Sequence, residues 1–376
     1  MSARVFRYAP DSGRIADFQR RLAGSRRLPA APDPDSRLGI APAHLERLAR
    51  RMADFDWTAF AARVNEHPAF LMNRGAEELH FLHVRSAAAQ ALPLLLLHGW
   101  PGSFLEFRGM INELTRPAPA FHVVCPSLPG YGFSGRNLEE TCNAAAIADH
   151  MAALMEALGY ERFLVQGGDW GSVIGSELAR RHPQRCYGLH LNLAPFAPPP
   201  EGDPARSAVL PAEAPWLGEN TRLFRDGMGY YAIQSTRPQT LAVALGDSPL
   251  GLLAWLAEKY LAWSDRDASG ASLVSDAAIA DQVALYWMTD SIGSSIRLYY
   301  DYVHQPPSQQ RIEVPTGVAV FPRELVKNPR AWVAYRCNLV HWSLPAHGGH
   351  FAALEVPQLL LADLRRFVAG LAPARA

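Results

Sequence analysis

The stretch Gly167-Gly168-Asp169-Trp170-Gly171-Ser172 decides how this chain is read. An apolar run at residues 163–165 leads into it and a helix-like segment at residues 173–181 leads out, giving strand, sharp turn, helix. Small residues two before and two after a central polar one are what a nucleophile elbow requires, because neighbouring side chains would clash at its strained turn. Here the centre is Asp rather than Ser. A plain Gly-rich loop would also favour a carboxylate near the helix N-terminus. As a nucleophile, however, a carboxylate is already ionised at neutral pH and attacks an sp3 carbon without a base. The product is an ester of the enzyme itself. Its cleavage needs a general base and an oxyanion hole, which the rest of the chain is expected to supply.

With 376 residues, 49% of them apolar, the chain can bury a sizeable core and fits one large domain with an insertion as well as two domains. Lys plus Arg and Asp plus Glu both total 36. There is thus no basic surplus to suggest nucleic acid and no acidic surplus to suggest disorder, and a small neutral substrate suits the balance. Cys125, Cys142, Cys186 and Cys337 follow no metal-ligand spacing and form no dense disulfide framework, so they read as reduced thiols of a cytoplasmic protein. No metal or other cofactor is expected. Residues 1–21 lack the apolar core of a secretion signal or anchor, and no run reaches the roughly 18 apolar residues of a membrane span. A soluble protein is expected.

Residues 1–58 read as an arm, with helix-like segments at 14–22 and 42–55 joined by a Pro-rich connector at 28–34, too poor in apolar residues to fold alone. Strands are predicted at 79–84, 93–97, 121–125, 163–165 and 187–193, with an amphipathic helix at 144–158. Such alternation predicts an α/β fold with a mostly parallel, doubly wound sheet, whose first part spans 59–194. From about 216 to 304 the chain turns helical and aromatic, as an inserted cap would, bounded at 195–310. Strands return at 316–321 and 338–344, and a helix at 356–371 ends the second part, 311–376.

Two residues of the returning segment answer the elbow. Glu324 follows one strand, and His350 follows the next in His347-Gly348-Gly349-His350. Nucleophile, acid, histidine is the chain order of the α/β-hydrolase triad, and a carboxylate on the imidazole would fix its tautomer and stabilise its protonated form. The loop His98-Gly99-Trp100-Pro101-Gly102-Ser103 follows a buried strand, where open sheets place ligands and where backbone N–H groups can hold an oxyanion.

With these motifs in order, the chain resembles the epoxide hydrolases of the α/β-hydrolase superfamily, in their microsomal-type branch. The resemblance spans nearly the whole chain: HGWPGSF at 98–104, GGDWGS at 167–172, GYYAIQSTRPQT at 229–240, DSPLGLLAWLAEKY at 247–260, FPREL at 321–325 and HGGHFAALEVP at 347–357. It implies that Asp169 is the nucleophile, that Glu324 and His350 activate water, and that the N–H groups of Trp100 and Trp170 form the oxyanion hole and border the substrate. It further implies that cap residues Tyr230 and Tyr299 donate hydrogen bonds to the epoxide oxygen, with Tyr231, Tyr300 and Tyr302 as adjacent competitors. His347 competes with His350, because an arginine common in the family near the Gly pair is missing here. Glu stands where other members carry Asp. The mammalian members begin with a membrane anchor that this sequence lacks, which points to a soluble bacterial or fungal type. The implied partners are a small-molecule epoxide and water, and a homodimer is compatible. Relatives serve both xenobiotic degradation and secondary metabolite biosynthesis. Trp255, Trp263 and Trp287 suggest an apolar or aromatic substrate, although aromatic residues also fill helical caps. A haloalkane dehalogenase with the same elbow, or a non-catalytic ligand-binding relative, are the competing readings.

Overall fold

Residues Leu94, Leu95, Leu96 and Leu97 have no exposed surface. A strand apolar on both faces belongs in the middle of a sheet covered on both sides. The computed structural model describes residues 3–29, 37–74, 77–116, 119–136 and 143–371, and there this strand lies at the heart of a nine-stranded sheet. The strands are β1 (Ala3–Phe6), β2 (Ala69–Arg74), β3 (Glu77–Val84), β4 (Leu92–Leu97), β5 (Phe121–Pro126), β6 (Phe163–Gly167), β7 (Cys186–Leu191), β8 (Ile312–Ala319) and β9 (Cys337–Ser343), ordered β1-β2-β3-β5-β4-β6-β7-β8-β9. Neighbours from β5 to β9 are parallel. The first three strands join the β5 edge in antiparallel fashion.

The sheet is wound on both faces, and glycines mark the two contacts. Gly175, on the helix Trp170–Arg181, sits against Val165 and Leu189, whereas Gly188 and Gly317 sit against Phe367 of the terminal helix Pro357–Gly370. Residues 188 and 189 are successive on β7 and so point to opposite faces, which puts these helices on opposite sides. Register then aligns the strand ends: Leu97, Gly167, Leu191, Val318 and Trp342 form one row across β4, β6, β7, β8 and β9. The loops after that row therefore open at the same edge.

Between β7 and β8 lies the helical insertion, including Gly229–Thr236, Pro238–Asp247, Pro249–Trp263, Asp276–Thr289 and Ser291–His304. Local sequence signals start several of these helices. Ser248 caps the third through Gly251 N–H and precedes a proline at the first turn, and Ser275 caps the fourth through Ala278 N–H. Among the described residues no single helix is long and apolar enough to cross a membrane.

The N-terminal segment does more than lie against the core, because its first residues form β1, a strand the sequence reading did not anticipate. Of the arm residues, Phe18 and Leu22 are buried while Phe6 and Phe55 are half-buried. Phe18 is wedged edge-on between Trp57 and Trp287, each at 5.4 Å between ring centroids. Arginines tie the same segment to the insertion. Arg63 holds Asp281 through two bonds of 2.8 and 2.6 Å, Arg47 holds Asp276 at 2.7 and 3.1 Å, and Arg14 pairs with Asp290. Cys125, Cys186 and Cys337 are buried free thiols, and Cys142 lies outside the described residues, as does most of the connector.

Truncating Phe18 to Ala removes the arm's central contact with the insertion. The expected loss is about 3 to 5 kcal/mol of unfolding free energy, read as a lower urea midpoint with an unchanged slope. An unchanged midpoint would mean that the arm is not part of the cooperative unit.

Candidate active site

At the end of β6 the backbone makes the sharp turn that the sequence calls for. Asp169 has φ 50° and ψ −126°, one of two non-glycine residues with positive φ among those described. Side chains rarely tolerate this region. The turn survives because its neighbours have no side chain: a Cβ on Gly171 would lie 2.0 Å from the Leu97 carbonyl oxygen, and one on Gly167 would lie 2.3 Å from that of Gly171. The result lifts the Asp169 carboxylate above the sheet edge at the start of the helix Trp170–Arg181.

Its two oxygens have different neighbours. Oδ1 accepts the Trp100 N–H at 2.8 Å, and Oδ2 lies 3.3 Å from His350 Nε2. The loop after β4 approaches so closely that a Cβ on Gly99 would collide with the carboxylate at 2.1 Å. Trp170 supplies the first residue of the helix, where backbone N–H groups have no intrahelical acceptor.

On its other side, His350 Nδ1 meets Glu324 Oε1 at 2.6 Å. Both side chains are almost wholly enclosed, whereas Asp169 keeps 21% of its side-chain surface accessible. A one-residue parallel bridge between Arg323 and Gly349 sets the register of the two loops that carry the pair. Anchors from outside these three residues add to it: His350 N–H donates to the Trp263 carbonyl at 3.1 Å, and Asp265 Oδ2 accepts the Gly348 N–H at 2.9 Å. Glu355 accepts from Asp265 N–H at 2.6 Å and Phe351 N–H at 2.8 Å. Burial by itself would lower the His350 pKa. The Glu324 charge and the Asp169 hydrogen bond and charge outweigh it and hold the imidazole well above the ordinary histidine value. The rival His347 is exposed and lies outside this arrangement.

Over the carboxylate stand the insertion's aromatic residues. Tyr230 comes from Gly229–Thr236 and Tyr299 from Ser291–His304, and their rings are 6.0 Å apart at 80°. Trp100 stacks on Tyr230 at 5.6 Å and meets Tyr299 edge-on at 5.8 Å, and Trp170 meets Tyr299 at 4.7 Å. Burial, reinforced by the Asp169 charge, raises the pKa of Tyr230, and burial raises that of Tyr299, so both hold their protons and remain donors. Of the competitors, Tyr300 faces outward on His304, whereas Tyr231 and Tyr302 are half-buried beside Tyr299 and Trp170. The three tryptophans divide: Trp263 lies 5.1 Å from Tyr230 and 5.2 Å from His350, Trp255 donates to Gln234, and Trp287 packs on the arm. No group of three or more metal-binding side chains occurs among the described residues.

Residues 3–107 match the family described as epoxide hydrolase N terminus, and residues 93–231 match the alpha/beta hydrolase fold. Over 403 residues the chain is 34% identical to epoxide hydrolase 1 of Sus scrofa, with 98% of this chain and 88% of that protein covered. The chain belongs to the epoxide hydrolase family. The solved structure of Aspergillus niger epoxide hydrolase matches with a TM-score of 0.90 at 35% identity, covering 99% of this chain and 97% of that one. Juvenile hormone epoxide hydrolase from Bombyx mori matches at 0.88 and 29% identity, covering 100% and 96%. The α/β-hydrolase fold expected from the sequence is therefore the fold of this epoxide hydrolase.

Gly171→Ala tests the elbow directly. Its methyl group would meet backbone rather than a movable side chain, so the variant should lose several degrees of thermal midpoint and nearly all activity. Gly218→Ala, where a Cβ meets nothing within 4 Å, should leave both unchanged.

Proposed function

We propose that the protein converts a small-molecule epoxide to its vicinal diol in two steps, with Asp169 as nucleophile and Glu324, His350, Tyr230 and Tyr299 as its catalytic partners. The observation that carries this reading is the continuous chain Asp169–His350–Glu324, at 3.3 and 2.6 Å, beneath two protonated phenols. In the first step an Asp169 oxygen forms a bond to one epoxide carbon and the ring C–O bond breaks. The alkoxide takes a proton from a tyrosine, and a phenol, with an ordinary pKa near 10, suits an alkoxide better than it suits a departing halide. Asp169 is then a neutral ester. With its charge gone, one of the influences that kept His350 protonated is lost, and the imidazole gives up its proton, which returns the phenolate to a phenol.

In the second step neutral His350 takes a proton from water as the water oxygen bonds to the Asp169 carboxyl carbon. Charge collects on the carbonyl oxygen, where the N–H groups of Trp100 and Trp170 act as the oxyanion hole. Collapse breaks the bond to the diol oxygen, which takes the proton from His350; the Asp169 carboxylic acid then gives the second proton of the water to His350, which restores the carboxylate and the charged imidazole. Glu324 holds the imidazole tautomer and stabilises its charged form. Trp100 and Trp170 also border the substrate. We assign residues 1–58 to an arm, 59–194 and 311–376 to the hydrolase core, and 195–310 to the cap, and we place the enzyme in the cytoplasm as a homodimer.

Replacing His350 with Gln separates the steps. The variant should consume about one epoxide per active site and retain the adduct on the peptide containing Asp169, visible by mass spectrometry, while His347→Gln turns over normally. In wild-type enzyme, one turnover in heavy-oxygen water should label Asp169 and not the diol. Label in the diol would mean that water opens the epoxide directly and would remove Asp169 as nucleophile.

The phenols are tested separately. Removing either hydroxyl, in Tyr230→Phe or Tyr299→Phe, should leave partial alkylation, and removing both should cost on the order of 100- to 10,000-fold. Tyr231→Phe and Tyr300→Phe should change little; a silent Tyr230→Phe beside a dead Tyr231→Phe would reassign the donor.

A further inference from the structure

Beside the Asp169–His350 contact lies a small pocket of about 20 Å³, lined by Gly99, Glu106, Asp169, Asn192, His350 and Phe351 among others. Roughly 10 to 15 Å³ of such space holds one water, which needs two to four polar partners. The site therefore has room for about one water, at a place where the ester carbon and the base share a wall. We infer that this cavity seats the hydrolytic water and that Glu106 is a positioning residue for ester cleavage. The inference rests on the two-step reading above.

Glu106 has an obvious structural role. Ser103 accepts the Leu105 N–H and begins a short helical turn, and Ser103-Phe104-Leu105-Glu106 is the spacing of a capping box, in which the glutamate reaches back to the serine N–H. Two observations exceed that role. First, the carboxyl turns inward against the loop: a Cβ on Gly102 would lie 1.3 Å from Glu106 Oε1. Second, Glu106 feels the two reacting groups. Burial pushes it up to about 8, with His350 pulling it down, Asp169 pushing it up and the Ser103 N–H pulling it down. Glu106 as a residue is half-buried, yet it lines the same pocket as Asp169 and His350, a placement that a cap alone does not require.

Geometry and charge both give such a group work. A water attacking the Asp169 carboxyl carbon gives one hydrogen to His350 and must anchor the other on an acceptor, and the Glu106 carbonyl oxygen supplies one from the same wall. A neutral carboxyl does this without adding a negative charge that would keep a proton on His350 after Asp169 has been esterified. Orientation of this kind fixes the line of attack, and a small misplacement costs on the order of 100-fold.

The test measures ester formation and ester decay separately, by rapid quench and mass spectrometry of the Asp169 peptide, with an epoxide that the wild type hydrolyses. In Glu106→Ala, ester formation should keep its wild-type rate while decay slows by about 100-fold. At steady state kcat and KM should then fall together and leave kcat/KM unchanged. Glu106→Gln retains the carbonyl oxygen and the cap and should restore decay to within a few-fold. Glu106→Asp, which withdraws the oxygen by one methylene, should be slow in decay alone, and it serves if the Ala variant does not fold. Equal loss of formation and decay, or a Gln variant as slow as Ala, would reduce Glu106 to a structural cap and overturn the inference, as would wild-type decay in both Ala and Asp. The two-step reading fails by a different sign, the absence of any adduct on Asp169 in His350→Gln.

Discussion

The site depends on one strained residue. Asp169 is held at positive φ by a strand on one side and a helix on the other, a conformation that persists only where its surroundings over-determine it. The close approaches of Gly99, Gly167 and Gly171 are part of that determination. With the turn in place, one carboxylate oxygen meets a backbone N–H and the other meets His350. Without it, the loops after β8 and β9 would still bring Glu324 to His350, but that pair would face no third carboxyl partner.

Around this turn the protein separates two electrostatic tasks. His350 is held protonated by two carboxylates at rest, and in the proposed mechanism alkylation of one of them weakens that hold. The phenols above are pushed in the direction that keeps them donors, by burial chiefly. Burial lowers the pKa of a histidine and raises that of a tyrosine, so an enclosed site can carry a hydrogen-bond donor and a potential base side by side.

Much of this was legible in the sequence because it is local. The elbow, the loop after β4 and the histidine loop each declare themselves within a few residues, and register along the sheet edge explains why their chain order translates into contact. What escaped was either weak in period or long in range. β1 has mostly exposed residues, so it shows no alternation and becomes a strand only by pairing with β2. β2 carries a short apolar run at residues 69–72, which helix and strand fit equally well. Glu106 stands in a motif that a cap fully accounts for, and nothing in its neighbours along the chain shows that Asp169 and His350 lie beside it. Asp265 and Glu355 brace the histidine loop through backbone N–H groups, and such contacts leave no spacing signature.

The arginine and aromatic ties of the first 64 residues also bear on the order in which a ribosome delivers the chain. Arg63 and Asp281 are 218 positions apart, and Phe18 meets Trp287 only after most of the insertion has been made. At about 5 to 20 residues per second, roughly ten to forty seconds separate the two halves of the Arg63 pair. During that interval Phe18 and Leu22 have no cap to cover them. Residues made early are thus sheltered late, and the nascent chain carries their apolar surface until partners more than 200 positions further on have been made.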